Sequence, residues 1–414
     1  MWNKHEHEIP RAQFEQRIEQ VRAFVVEQDL SAVLVHSAPN IHQWSQTGHV
    51  EYLTNWANLD RIVDTIVVVP RAGPAFMLVP GTDYMFDQIE EVSWIENVRM
   101  VSSPDPRSIS KGFDTDVAGE KAGRGMMSFS DAVNDIIRSH DCGGRPVGIS
   151  GIEAMPTLIY QQLQSSVQGG IATVADIVAE LRQLKTPEEI MLLRKTAAIS
   201  DLSYETMLQV LSDGMWGYEL TAAMDHAAKR NEADFVYHCM HTAPGGDLEK
   251  GKLSIKAHDV RLRRGDYINV NAYVVHKGYW IQGDRAGTIG SSLGASAGQA
   301  LRANLEVQDD VLAKIRPGLE IGELVRASEE GAKRKGYDLP GGRIGHGQGL
   351  DYSERPFLTA GSKETLKPGH VFVLHVSVGI PGTNILLNPI ADLCHVTENG
   401  VEVLNQFPRG LFHT

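Results

Sequence analysis

The stretch DYINVNAYVVHKGYWIQGDRAGTIG, residues 266–290, constrains the fold more than any other part of the chain. It reads as two strands joined at His276-Lys277-Gly278, and side chains along a strand alternate between its two faces. Gln282 and Asp284, two residues apart, therefore share a face.

Composition narrows the class of protein around that hairpin. With 414 residues, 42% hydrophobic and 22% charged, the chain is an ordinary globular one, long enough for two domains with separate cores. A formal net charge of -13 argues against a phosphate-backbone partner, which needs a basic face, so no nucleic acid is expected. Cys142, Cys239 and Cys394 are too few and too scattered for a disulfide framework or a C-x-x-C metal site, and read as buried thiols in a reducing cytoplasm. No run approaches the ~20 apolar residues of a membrane span, so the expectation is a cytoplasmic protein with no membrane partner. The HEHE at residues 5–8 lacks H-E-x-x-H spacing and reads as a solvated tail.

Before the hairpin, short strands alternate with helices. Residues 14–29 place Phe14, Ile18, Val21, Phe24 and Val25 on one helical face, and SAVLVH follows as a buried strand. TIVVVP and PAFMLVP form a hairpin across Arg-Ala-Gly, RPVGISG is another strand, and AMPTLIYQQLQSSV a helix. Residues 1–175 thus read as an α/β domain and 176–414 as a second one. The second opens on a helix in which Thr186 caps, Pro187 takes the first helical position and Glu189 closes a capping box. Ile190, Leu193, Ala197 and Asp201 then keep a helical period.

Three further segments resemble known motifs. GRIGHGQGLDYSERP is similar to G-H-G-x-G-x-x-x-H-E-x-P, LKPGHVFVLHVSVGIPG to L-x-P-G-M-V-F-T-I-E-P-G-I-Y, and ADLCHVTENGVEVL to E-D-x-V-L-V-T-E-x-G. With residues 271–288 and the LRQLKTPEEIMLLR entry helix, they follow in order and spacing the segments of the pita-bread superfamily of methionine aminopeptidase, prolidase and aminopeptidase P. The resemblance implies an α/β N-terminal domain followed by an α+β pita-bread catalytic domain. Where that family puts Asp, Asp, His, Glu, Glu to hold two metal ions, this chain carries Asn271, Gln282, His346, His375 and Ala391. Asp284, thirteen residues after Asn271 and followed by Arg285, is similar in place to the glutamate with which metal-free creatinase holds a guanidinium.

The resemblance therefore implies a metal-independent, creatinase-like hydrolase without a cofactor, cleaving a C–N bond in a small polar carboxylate-bearing compound and working as a homodimer. His346, His375 and Asp284 are the expected catalytic residues; Asn271, Gln282, Arg61, Tyr352, Glu354 and Arg355 are expected to bind substrate. Two histidines and a carboxylate are also a set that holds a single iron or zinc, which leaves a mononuclear hydrolase or a lyase acting on a betaine-like compound as an alternative. A non-catalytic peptide- or protein-binding platform is another, because the register of the family's catalytic histidine falls on Ser254, with Lys256 and His258 just beyond.

Overall fold

In a computed structural model of the protein, the residues described are 2–38, 48–57, 64–80, 84–105, 126–248, 259–290, 293–339, 341–379 and 386–414. The chain divides into two compact units, Met1–Arg182 and Gln183–Thr414; the sequence expectation had put the division at 175/176.

In the first unit, α1 (Arg11–Glu27) leads into β1 (Ala32–Ser37), followed by α2 (Gly48–Thr54), β2 (Thr65–Pro70), β3 (Phe76–Pro80), α3 (Tyr84–Val92), β4 (Asn97–Ser102) and β5 (Met127–Ser128). After these come α4 (Phe129–Ser139), β6 (Val147–Ser150), α5 (Thr157–Ser166) and α6 (Ile177–Leu181). The six strands run in the order β5-β4-β3-β2-β1-β6. The expected β2–β3 hairpin is antiparallel, as is β1 with β2, while β6 joins parallel to β1. Leu34, Ile66, Val68 and Leu78 pack with Phe129, Val133 and Ile136 of α4 and Ile159 and Leu163 of α5. On α1, Phe14, Val21 and Val25 are buried as the period requires, whereas Ile18 and Phe24 are only half-buried and Arg17 takes a core place. Its guanidinium lies 3.9 Å over the Tyr52 ring and donates to the Tyr52 carbonyl at 2.9 Å, which satisfies the buried charge on an aromatic face.

The second unit opens with α7 (Pro187–Val210), held by the expected capping box: Thr186 N–H donates to Glu189 at 3.0 Å and Glu189 N–H to Thr186 Oγ1 at 3.4 Å. Next come α8 (Gly217–Arg230), β7 (Phe235–Ala243), β8 (Tyr267–His276), β9 (Tyr279–Thr288), α9 (Ala295–Leu312) and α10 (Ile321–Arg334). The remaining strands are β10 (Arg343–Gly347), β11 (Glu354–Thr359), β12 (Val371–Leu374), β13 (Val378–Gly379), β14 (Leu386–Leu387), β15 (Ile390–Thr397), β16 (Gly400–Val403) and β17 (Phe412–His413). Nine strands form one sheet in the order β11-β10-β12-β15-β9-β8-β7, with β16 on β15 and β17 on β9. The β8–β9 turn is made by Lys277 (φ 47°) and Gly278 (φ 79°), the pair of positive φ values that a tight two-residue hairpin requires.

Tyr204 and Met207 of α7 with Leu220 and Met224 of α8 pack on Met240, Ile268, Val270 and Ala272. Strand alternation then turns Cys239, Asn269, Asn271 and Tyr273 to the opposite face. Leu301, Val311, Leu324 and Val325 of α9 and α10 pack with Phe372, Leu374, Cys394 and Val396 on the other half of the sheet. The glycines around His346 serve close strand approach: a Cβ at Gly345 would lie 2.1 Å from the Val373 carbonyl oxygen, and one at Gly347 2.2 Å from that of Arg355. No helix among the described residues is long and apolar enough to cross a membrane.

Candidate functional site

Strand register assembles the site. Cys239 on β7 pairs with Asn271 on β8, Asn271 with Asp284 on β9, and Asp284 with Ala391 on β15. The β12–β15 register, Leu374 opposite Asp392, puts the next residue, His375, at the position opposite Ala391. His346 on β10 closes the group, its ring 5.5 Å from that of His375 and 5.2 Å from that of Tyr352. Cys239, Asn271, Asp284, Ala391 and His346 each stand on a different strand and His375 directly follows β12, so the sheet fixes their order across the face.

Asp284 is fully buried. One carboxylate oxygen accepts from Asn271 Nδ2, the other from Asn388 Nδ2 at 2.6 Å. Burial pushes its pKa up to about 7, against the opposing pull of the Asn271 hydrogen bond, the Arg285 charge and a Gln282 hydrogen bond. Gln282 is itself held: its backbone N–H donates to Gln348 Oε1 at 3.0 Å, and its Oε1 accepts from the Tyr352 hydroxyl at 3.0 Å.

The two histidines are neutral at pH 7. Burial, then the neighbouring His375, pushes His346 down to about 3; burial, then Arg343, pushes His375 down to about 4. His346 Nδ1–H donates to the Gly347 carbonyl at 3.1 Å, which leaves Nε2 carrying the lone pair. The backbone on either side of His375 is clamped by α9: Gln308 donates to the Leu374 carbonyl at 3.4 Å and accepts from Val376 N–H at 3.1 Å, and Asn304 donates to the Val376 carbonyl at 2.6 Å.

Of the residues expected from sequence, the structure brings Asn271, Gln282, Asp284, His346, His375 and Tyr352 together. Glu354 forms a 2.5 Å ion pair with the buried Lys185, and Arg355, exposed on β11, pairs with Glu364 at 2.8 Å. Arg61, Ser254, Lys256 and His258 lie outside the described residues.

Sequence reasoning missed Asn388, Asn269, Gln348 and the contribution of β7. Cys239, expected as a buried thiol, is partly accessible, and its Sγ donates to Asn271 Oδ1 at 3.5 Å. Burial and then Asp284 push its pKa up to about 11, so it stays protonated and is no nucleophile near neutral pH. His241, two residues on, is pushed down by burial. The signal that could have found these residues is their even spacing on a strand paired with β8.

The donor set does not fit two divalent metal ions. Such a site needs bridging carboxylates; here, among the described residues, one carboxylate is present, both its oxygens already accept amide N–H groups, and its partner in register is the methyl group of Ala391. Among the described residues, one group of three side chains does stand at metal-ligating distance: His49, Glu153 and Asp176, in the first unit. There Arg182 donates to His49 Nδ1 at 2.8 Å, which places the ring proton on Nε2, and that nitrogen donates to Asp176 at 2.9 Å. Asp176 also accepts from Ser150, Gly151 N–H and Ala179 N–H. Those atoms serve to tie α6 to the sheet.

Comparison with known proteins agrees with this architecture. The chain is 26% identical over 245 residues to the Xaa-Pro dipeptidase of Pyrococcus furiosus, covering 58% of this chain and 67% of that protein. It is 26% identical over 273 residues to the probable dipeptidase PepE of Mycobacterium tuberculosis H37Rv, covering 65% and 71%. Among solved structures, the Xaa-Pro dipeptidase from Bacillus anthracis superposes with a TM-score of 0.75 at 19% identity, over 97% of this chain and 100% of that one, a likeness of fold. Residues 191–403, a little over half of the sequence, match the profile of metallopeptidase family M24, and the chain belongs to that family.

Proposed function

We propose that the protein is a metal-independent hydrolase that cleaves a C–N bond in a small, polar, carboxylate-bearing compound. The observation that carries this reading is the replacement of a metal-bridging carboxylate set by one buried carboxylate held between two amides, facing two neutral imidazoles. Asp284 holds a nitrogen of the substrate. Gln282 and Asn271, their amides oriented by Tyr352 and Asp284, fix the substrate around it. His346, through the lone pair on Nε2, takes a proton from the attacking water as the C–O bond forms. An imidazolium disfavoured by burial is a strong acid, and it returns that proton to the leaving nitrogen as the C–N bond breaks. His375 borders the same space and shares this role.

A dipeptide is also small, polar and carboxylate-bearing, and the two named relatives are dipeptidases by name. What separates this reading from theirs is independence of metal. The reading includes a homodimer in which Arg61 of the partner subunit grips the substrate carboxylate with its bidentate fork. The test is turnover of a panel of amides, dipeptides and guanidino acids by chelator-treated protein, with elemental analysis alongside. Activity that survives in chelator with far less than one metal per chain is expected. Close to two metals per chain, with turnover abolished by chelation and restored by manganese, cobalt or zinc, overturns the proposal.

A further inference from the structure

Three asparagines form a hydrogen-bonded chain to Asp284, two directly and Asn269 through the Asn388 backbone, and they differ in one respect. Asn271 is used at both ends: its Nδ2 donates to Asp284 and its Oδ1 accepts from Cys239 Sγ. Asn388 donates Nδ2 to the other Asp284 oxygen at 2.6 Å, but its Oδ1 is buried and has no hydrogen-bond partner among the described residues. Asn269, two residues before Asn271 on the same face of β8, donates Nδ2 to the Asn388 carbonyl at 2.6 Å, and its Oδ1 is likewise buried without a partner. Asn269 as a whole is 6% exposed.

The amide orientations follow from their partners. A backbone carbonyl can only accept, so Asn269 must turn its NH₂ group to Asn388; when Asp284 is ionised it too can only accept, so in that state Asn388 turns its NH₂ group to Asp284. The amide N–H groups of Asn269, Asn271 and Asn388 that bond the Asn388 carbonyl and Asp284 point inward to the protein, and what remains is acceptors: two amide oxygens and the spare lone pairs of a carboxylate. A buried acceptor left unpaired costs about 1–3 kcal/mol, so a native structure that keeps two on residues joined by a hydrogen bond calls for an explanation.

We propose that Asp284, Asn269 Oδ1 and Asn388 Oδ1 form a subsite for a primary ammonium group of the substrate. An ammonium offers three N–H donors, no acceptor and a single positive charge, which matches three acceptor groups bearing a single negative charge. A quaternary ammonium has no N–H to offer and leaves both amide oxygens unpaired. A guanidinium presents its donors in a planar fork, suited to paired carboxylate oxygens more than to separate acceptors on β8, β9 and the segment before β15. This rests on the reading of the site as substrate-binding, and it narrows the substrate to compounds with a free amine.

Calorimetric titration of the full-length protein with alaninamide, ethylguanidine and tetramethylammonium tests it. Alaninamide is expected to bind at least about tenfold more tightly than the other two. Asn388→Ala and Asn269→Ala are each expected to weaken alaninamide about tenfold or more, the loss of a hydrogen bond to a charged group, with Asn388→Ser recovering part of it. If Asn269→Ala fails to fold, judged by its melting curve, Asn388→Ala and Asn388→Ser on the partly exposed segment before β15 suffice. Equal binding of alaninamide by wild type and Asn388→Ala, or preference for ethylguanidine or tetramethylammonium, overturns the ammonium subsite. Metal-independent turnover of guanidino acids or amine-free amides in that event leaves the hydrolase reading standing without it.

Discussion

Asp284 and Asp392 are neighbours on adjacent strands, both with no solvent exposure, and their surroundings are opposite. Asp392 sits between two guanidinium groups, Arg285 Nη2 at 2.9 Å and Arg409 Nε at 2.7 Å. Arg285 is further held by the carbonyls of Asp284, Ala391 and Phe407. Asp284, across the sheet from that cluster, has amide partners and, among the described residues, no ion pair. The first arrangement is a closed ion pair that braces β9 against β15. The second is a charge whose complement has still to arrive, and that difference separates framework from site.

Substitutions should divide along this line. His375→Ala and Asp284→Asn are expected to lower turnover by about 10²–10⁴-fold, the usual contribution of a positioned acid–base group, while thermal melting shows each variant folded. Wild-type rates in both would make the amide-flanked face a bystander. On the other face, Asp392→Asn should cost about 3–5 kcal/mol of stability in denaturant titration, because it leaves the buried Arg285 without its carboxylate. A loss under 1 kcal/mol would mean that the two carboxylates are not as different as their partners suggest.

The pH dependence of stability sharpens the contrast. The carboxyl of Asp284 has a folded-state pKa of about 7, raised from an ordinary value of 3.8. Between those values the native state keeps a proton that the unfolded chain has released, so this residue's contribution falls as pH rises from 4 to 7 and is level on either side. Asp284→Asn should therefore gain on wild type across that window, by at most about 1.4 kcal/mol per pH unit, and match it below pH 4. Parallel stability curves for the two proteins would show that Asp284 is not a strained carboxylate. The smallest effect is expected for Gln308→Ala, which frees the backbone beside His375: about a tenfold lower kcat with an unchanged KM, the scale of a lost hydrogen bond. An unchanged kcat would remove the clamp from the site.

The fold was legible where the signal is local. Thr186, Pro187 and Glu189 announce α7 by cap chemistry, and the turn at Lys277-Gly278 sets the β8–β9 pairing that puts Gln282 and Asp284 on one face. Arg17 was hidden because a helical period counts apolar residues, whereas burial here depends on the Tyr52 ring, which comes from a distant segment. The site was legible in part for the same reason. Asn271, His346 and His375 stand in motif positions, but Cys239 enters through β7–β8 register across more than twenty intervening residues, and Asn388 and Asn269 matter through hydrogen bonds that no spacing encodes. The partners of Glu354 and Arg355, Lys185 and Glu364, were equally hidden, because their motif says nothing of them.

Ala391, paired in register with Asp284, has a consequence for how such a site can come about. Directly opposed residues on antiparallel strands hold their Cβ atoms about 4.5–5.5 Å apart, so an acid at 391 would set a second buried negative charge against the first. Two such charges coexist only with a dication between them or a proton shared. A chain with acids at both 284 and 391 and no cation between them would carry that repulsion in every folded molecule. Alanine at 391 is thus what lets Asp284 stand as a lone buried carboxylate, and Ala391→Glu in the present background should be tolerated only together with changes that supply a dication.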